Sequence, residues 1–188
     1  MERSALYRRA LAPIMTFCGV VGILGGVIGH FLGIRTPCGF VLFWFGVAAI
    51  ASGGAFFLVR RQALKDSEPF WSPPTRRVTQ AIVPSFFIGI IIGGSLAFWG
   101  ADASSKPILI LSWCWAYGCA LHSAGFFMPH GVKWFGWIFI LTGALLTGFL
   151  MCEVNFISPH LLMAGIFGGL HLAYGIYLYF TENRKTAP

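Results

Sequence analysis

The chain has 188 residues, of which 57% are apolar, 16% aromatic and only 10% charged, with 24 Gly and 10 Pro. A soluble domain carries about a quarter charged residues, so this composition predicts a membrane protein, and crossings of about 20 residues joined by short turns fill the length with about six spans. No room is left for a separate ATPase, kinase or DNA-binding module, and the net charge of +7 falls between apolar runs rather than in the basic patch that nucleic acid requires.

Six apolar segments without Lys, Arg, Asp or Glu follow one another at about 11–34, 40–59, 81–99, 108–128, 134–151 and 158–180. They predict an all-α fold: one polytopic domain over 1–188, an integral membrane bundle of six transmembrane helices. A β-barrel is excluded because its strands alternate polar and apolar residues, whereas these runs are apolar on every face. With the N-terminus inside, the cytoplasmic side holds Arg3, Arg8, Arg9, Arg60, Arg61, Lys65, Arg76, Arg77, Lys133, Arg184 and Lys185, and the outer side only Arg35 and Lys106. That asymmetry predicts both termini in the cytoplasm and a cytoplasmic-type membrane, plasma or bacterial inner.

The first segment, Leu11 to Ile34, is 24 residues long and exceeds the apolar stretch of a cleavable signal. No lipidation or retention motif is visible at either end. Its Gly22, Gly25, Gly26, Gly29 and Gly33 form small-xxx-small pairs at 22/26, 25/29 and 29/33, and the third segment repeats the spacing with Gly89 and Gly93 after Pro84. Membrane helices associate through such close backbone approaches, so these GxxxG seams predict a compact bundle or a homo-oligomer contact, with a substrate cavity lined by Gly-rich helices as the alternative. Between the second and third segments, residues 60–77 form the longest cytoplasmic loop, bracketed by paired arginines and interrupted by Pro69, Pro73 and Pro74. It reads as an interfacial turn anchored by Phe70 and Trp71 and touching anionic lipid, or as a docking surface for a cytoplasmic partner.

Ionisable groups in hydrocarbon are costly and mark function, and here they are histidines. His122 stands fourteen residues beyond Ile108 and His171 thirteen beyond Ser158, which puts both about 20 Å below the outer surface. Each has glycines on its own face, Gly118 and Gly125 for His122, Gly168 and Gly175 for His171, so both are expected to face other helices and each other. Tyr117 and Tyr174, in the echoed Ala-Tyr-Gly triplets of the fourth and sixth spans, join them as ligand-binding candidates; Trp113, Trp115, Tyr177 and Tyr179 are further rings for a lining, the interfacial belt or the core. A second pair, His30 and His160, lies near the outer surface.

Two histidine levels in a small-residue bundle resemble the arrangement of membrane b-type cytochromes such as the cytochrome b561 group. The resemblance is one of topology and histidine placement, and it implies haem b held by His122 and His171, with His30 and His160 at the second level. The second, third and fifth segments have no histidine inside them.

Cys18, Cys38, Cys114, Cys119 and Cys152 include no Cys-x-x-Cys, so no zinc site or thioredoxin-type centre of familiar spacing is present; Cys38 and Cys152 share the outer side, where a disulfide persists. No Walker loop, dinucleotide fingerprint or hydrolase motif occurs, and Ser123 lies on a different helical face from the adjacent His122. The chain therefore reads as a non-enzymatic membrane protein that binds or transports a small or lipid-like molecule near His122 and His171. The alternatives are a bis-histidine haem electron carrier and a non-catalytic subunit or scaffold.

Overall fold

The computed structural model describes residues 5–67, 69–99, 105–152 and 158–183. Six helical rods follow one another, and no strand occurs among the described residues: α1 (Ala5–Phe31), α2 (Pro37–Lys65), α3 (Pro73–Trp99), α4 (Ser105–Ala124), α5 (His130–Met151) and a sixth rod. This last rod has three consecutive parts, α6 (Pro159–Met163), a π-helical turn (Ala164–Gly169) and α7 (Leu170–Asn183). Five of the six rods are long and apolar enough to cross a membrane. The exception, α4, carries Lys106, two tryptophans, Tyr117 and His122. It tolerates them because it packs against both α3 and α5 and also touches α2 and α6, so little of it has to face an apolar solvent.

The helix ends differ from the apolar runs for identifiable reasons. α1 stops at Phe31, short of Ile34, because Gly33 adopts a positive φ of +61°, the left-handed conformation with which glycine ends helices. Nothing lies within 4 Å of a Cβ built there, so Gly33 is a stop signal and the 29/33 pair is no packing seam. Thr36 then opens α2, its hydroxyl accepting from the Gly39 N–H at 3.2 Å, with Pro37 at the first helical position where its missing N–H costs nothing. α2 continues through Arg60 and Arg61 to Lys65, since Arg, Gln, Ala, Leu and Lys are all good helix formers. Pro73 and Pro74 begin α3 instead of interrupting it, and the 60–77 loop shrinks to residues 66–72. Of the basic residues assigned to the cytoplasmic side, Arg3, Arg184 and Lys185 lie outside the described residues, as does Glu68 of that loop.

Glycines set how closely the rods approach. Along the seam between α1 and the sixth rod, a Cβ on Gly22 would stand 2.8 Å from Gly168 Cα, one on Gly19 2.5 Å from Leu172 N, and one on Gly175 2.7 Å from Thr16 N. A second seam joins α4 to α5, where a Cβ on Gly118 would meet Gly136 O at 2.8 Å and one on Gly125 would meet Lys133 Cα at 2.7 Å. No real Cβ fits at such separations, so these backbones touch directly. Gly93 of α3 receives the Phe45 ring. Between the seams, the end of the bundle near the α1–α2 turn is filled by Phe40, Trp44, Leu109, Ile110 and Met163, all essentially inaccessible. At that end Lys106 Nζ donates to the Arg35 carbonyl, bringing together the two basic residues assigned outside.

Candidate functional site

Depth inside the bundle follows from where the helices begin. α4 starts at Ser105 and the sixth rod at Pro159, and twelve residues along each stand Tyr117 and His171. They meet: the Tyr117 hydroxyl and His171 Nε2 are 2.6 Å apart, and the rings are in contact. His171 is 4% exposed, and Phe135 and Phe139 of α5 also press on its ring. Its Nδ1 lies 2.5 Å from the carbonyl oxygen of Phe167, inside the π-helical turn.

These two bonds fix the proton positions. A carbonyl only accepts, so Nδ1 carries the hydrogen and donates to Phe167. No Asp or Glu stands in the surrounding wall to balance an imidazolium, and an unpaired buried charge is costly, so the ring is neutral. Nε2 then has only a lone pair, and Tyr117 O–H is the donor. What remains outward from the pair is the acceptor capacity of the phenolic oxygen.

The pair stands in the wall of a cavity of about 430 Å³, within the roughly 300–1,000 Å³ usual for small-molecule sites. Ile14, Met15, Cys18 and Gly22 of α1 contribute to it, as do Phe86 and Gly89 of α3, Trp113 and Ala116 of α4, and Met163 and Phe167 of the sixth rod. The hollow owes most to α2, where Ala48, Ala49, Ala51, Ser52 and Ala55 line it: side chains this small leave space that Leu or Phe would occupy. The indole and thiol donors around it are engaged within the protein. Trp113 Nε1–H reaches Gly89 O at 3.0 Å, Trp44 Nε1–H reaches His160 Nδ1 at 3.2 Å, and Cys18 S–H reaches Ala51 O at 3.8 Å. The exposed members of the wall are Ala49 and Ser52 of α2 and Phe86 and Ile90 of α3. The cavity therefore opens sideways, between α2 and α3.

His122 does not share this site. It follows Tyr117 by five residues on α4, which sets it about 7.5 Å further along the axis and roughly 140° around it, toward Phe126 and Trp137. Its Nδ1 is buried without a hydrogen-bond partner among the described residues. Tyr174 stacks on Phe135, 4.5 Å between centroids, and lies outside the cavity wall with His122. The second histidine pair of the sequence, His30 and His160, is bonded to different partners. His160 is buried, accepting from Trp44 at Nδ1 and donating from Nε2 to the Ile34 carbonyl at 3.3 Å, while exposed His30 bonds Ser158 Oγ at 3.2 Å.

These bonds bear on the haem reading. Both ring nitrogens of His160 and of His171 are already committed inside the protein, so ligation of iron would first have to break a buried hydrogen bond at each. The residues do not fit a bis-histidine haem as they stand. No group of three or more His, Cys, Asp or Glu suited to a metal occurs among the described residues. All five cysteines are free thiols, with no bridge between Cys38 and Cys152.

The sequence singles out His122, His171, Tyr117 and Tyr174 and expects the two histidines to face each other; the structure pairs His171 with Tyr117 instead. Trp113, offered by the sequence as a lining ring, does line the cavity; Cys18, Ala51 and Ser52 are not signalled as cavity residues, although the run of small side chains from Ala48 to Ala55 is a visible signal for a hollow. Searches of protein-family models, curated proteins and solved structures return no match to this chain.

Proposed function

We propose that this chain is an integral membrane protein that binds a small or lipid-like molecule in the cavity beside Tyr117 and His171. The observation that carries the reading is the cavity itself: mostly apolar, of ligand size, with the hydrogen-bonded Tyr117–His171 pair in its wall and a mouth between two helices. A soluble protein has no use for an apolar mouth on an apolar flank, whereas in a bilayer that flank faces acyl chains, from which an apolar molecule enters directly. Five rods long and apolar enough to cross a membrane support the embedding. The distribution of Lys and Arg supports cytoplasmic termini in a cytoplasmic-type membrane; Arg35 and Lys106, the two basic residues left for the other side, share one end of the bundle. Ligand contact is assigned to Tyr117 and His171; Tyr174 packs behind them through Phe135, and His122 stands outside the cavity wall.

The test is native mass spectrometry of the full chain released from membrane nanodiscs, comparing wild type with Ala51→Phe, whose ring occupies the hollow. A small-molecule adduct on the wild type, reduced or absent on a folded Ala51→Phe variant, is the expected result. Equal adducts on both proteins would show that whatever binds does so outside the cavity.

A further inference from the structure

Resting on the binding role just proposed, the chemistry of the wall narrows what the cavity takes. We infer that its ligand is an apolar molecule with a hydrogen-bond donor at its inner end, a lipid-like alcohol, admitted from the bilayer between α2 and α3.

Hydrogen-bond polarity makes the selection. Phe167 O forces the hydrogen of His171 onto Nδ1, His171 Nε2 takes the hydrogen of Tyr117, and the phenolic oxygen is left with lone pairs only. Trp44, Trp113 and Cys18 spend their donors on His160, Gly89 and Ala51. The pair itself therefore offers the cavity an acceptor and no spare donor. A hydroxyl there gains a partner. An ether or carbonyl oxygen in the same place is desolvated with none, which binding sites penalise strongly. Ser52 and Ser85 also line the cavity, on the two helices that frame its mouth, and their hydroxyls serve ligands of either kind; they set no preference. Apolar residues make up nearly all the remaining wall, so the rest of the molecule must be hydrocarbon. The exposed residues Phe86, 40%, and Ile90, 56%, put the mouth on the outer flank of α3 rather than at either end of the bundle, so the route in is lateral.

The test uses farnesol, an isoprenoid alcohol, and farnesyl methyl ether, its acceptor-only counterpart. Tritiated farnesol is bound to the full chain in nanodiscs and displaced by each unlabelled compound, in wild type, His171→Phe and Tyr117→Phe, with folding of each checked by circular dichroism and gel filtration. Wild type is expected to prefer the alcohol by about tenfold, the value of one well-made hydrogen bond against an unmet one. In His171→Phe the Tyr117 hydrogen is released to the ligand, so the ether gains and the ratio falls toward one. In Tyr117→Phe the bared Nε2 lone pair is still an acceptor, so the preference for the alcohol stays. If His171→Phe does not fold, wild type and Tyr117→Phe decide the matter between them. Equal binding of alcohol and ether by wild type overturns the inference and leaves the binding role standing. Failure of wild type to bind either compound overturns the binding role as well. A preference lost in Tyr117→Phe would show that Nε2 presents no lone pair to the ligand and refute the polarity that Phe167 O imposes on the pair.

Discussion

A single methyl group on Gly22 tests the seam that supports the back wall of the cavity. Its Cβ would stand 2.8 Å from Gly168 Cα and 2.9 Å from Gly168 N, where carbon atoms at rest prefer about 3.5–4.0 Å. Both neighbours are backbone, so neither can swing aside, and α1 must part from the sixth rod by about 1 Å. Overpacking of this kind costs about 1–3 kcal/mol, against which the better helix propensity of alanine offsets up to about 1 kcal/mol. Gly22→Ala should therefore lose roughly 1–2 kcal/mol. Gly168→Ala should behave alike, because its Cβ would meet Ile23 N at 2.5 Å and Gly22 C at 2.9 Å. The double variant should cost less than the two losses together, since one parting of the helices relieves both contacts. Reversible unfolding in mixed micelles titrated with dodecyl sulfate, followed by tryptophan fluorescence, measures these values. Gly46→Ala and Gly94→Ala are the controls: nothing lies within 4 Å of a Cβ at either position, and both should be neutral or slightly stabilised. Should Gly22→Ala unfold together with Gly46→Ala, the direct backbone contact on which the seam rests is wrong.

Tyr117→Phe removes the donor to His171 Nε2 and leaves a buried acceptor unmet, so it should lower stability by about 1–3 kcal/mol in the same unfolding assay; an unchanged value would mean that the 2.6 Å bond contributes nothing. Ser52→Trp places a large ring at the mouth between α2 and α3 and should weaken binding of labelled farnesol roughly tenfold, a change of about 1.4 kcal/mol. Ile50→Trp, on the same helix but outside the cavity wall, should leave binding unchanged, and equal effects from the two would place the way in elsewhere. A green fluorescent protein fused to the C-terminus should fluoresce in a bacterial host and an alkaline phosphatase fused there should be inactive, as a cytoplasmic terminus requires; the reverse pattern contradicts the orientation taken from Lys and Arg.

The six rods were legible because absence of charge over about 20 residues is a strong and local signal. Helix ends were less so, because hydropathy marks where apolar residues stop and not where the backbone does. Arg60 to Lys65 stay helical, and Pro73 starts a helix that the apolar run enters only at Ala81. That difference had a consequence at the site. Counting from Ile108 and Ser158 sets His122 opposite His171, whereas counting from the true starts, Ser105 and Pro159, moves the partner back by about one turn to Tyr117. The hollow itself was hidden for another reason. Hydropathy scores Ala and Leu alike as apolar, and the cavity depends on side-chain volume, which falls along Ala48 to Ala55. The π-helical turn that presents the Phe167 carbonyl to His171 has no local sequence signature beyond the glycines at 165, 168 and 169.

The occupancy of the cavity is tested most directly by photolabelling with a diazirine derivative of farnesol in nanodiscs, with the labelled residues located by peptide mass spectrometry. Label concentrated on Cys18, Ala51 and Tyr117, and suppressed by excess unlabelled farnesol, is the predicted result. Label spread over outward-facing Phe87, Ile91 and Leu145, indifferent to excess farnesol and absent from the cavity wall, would contradict it.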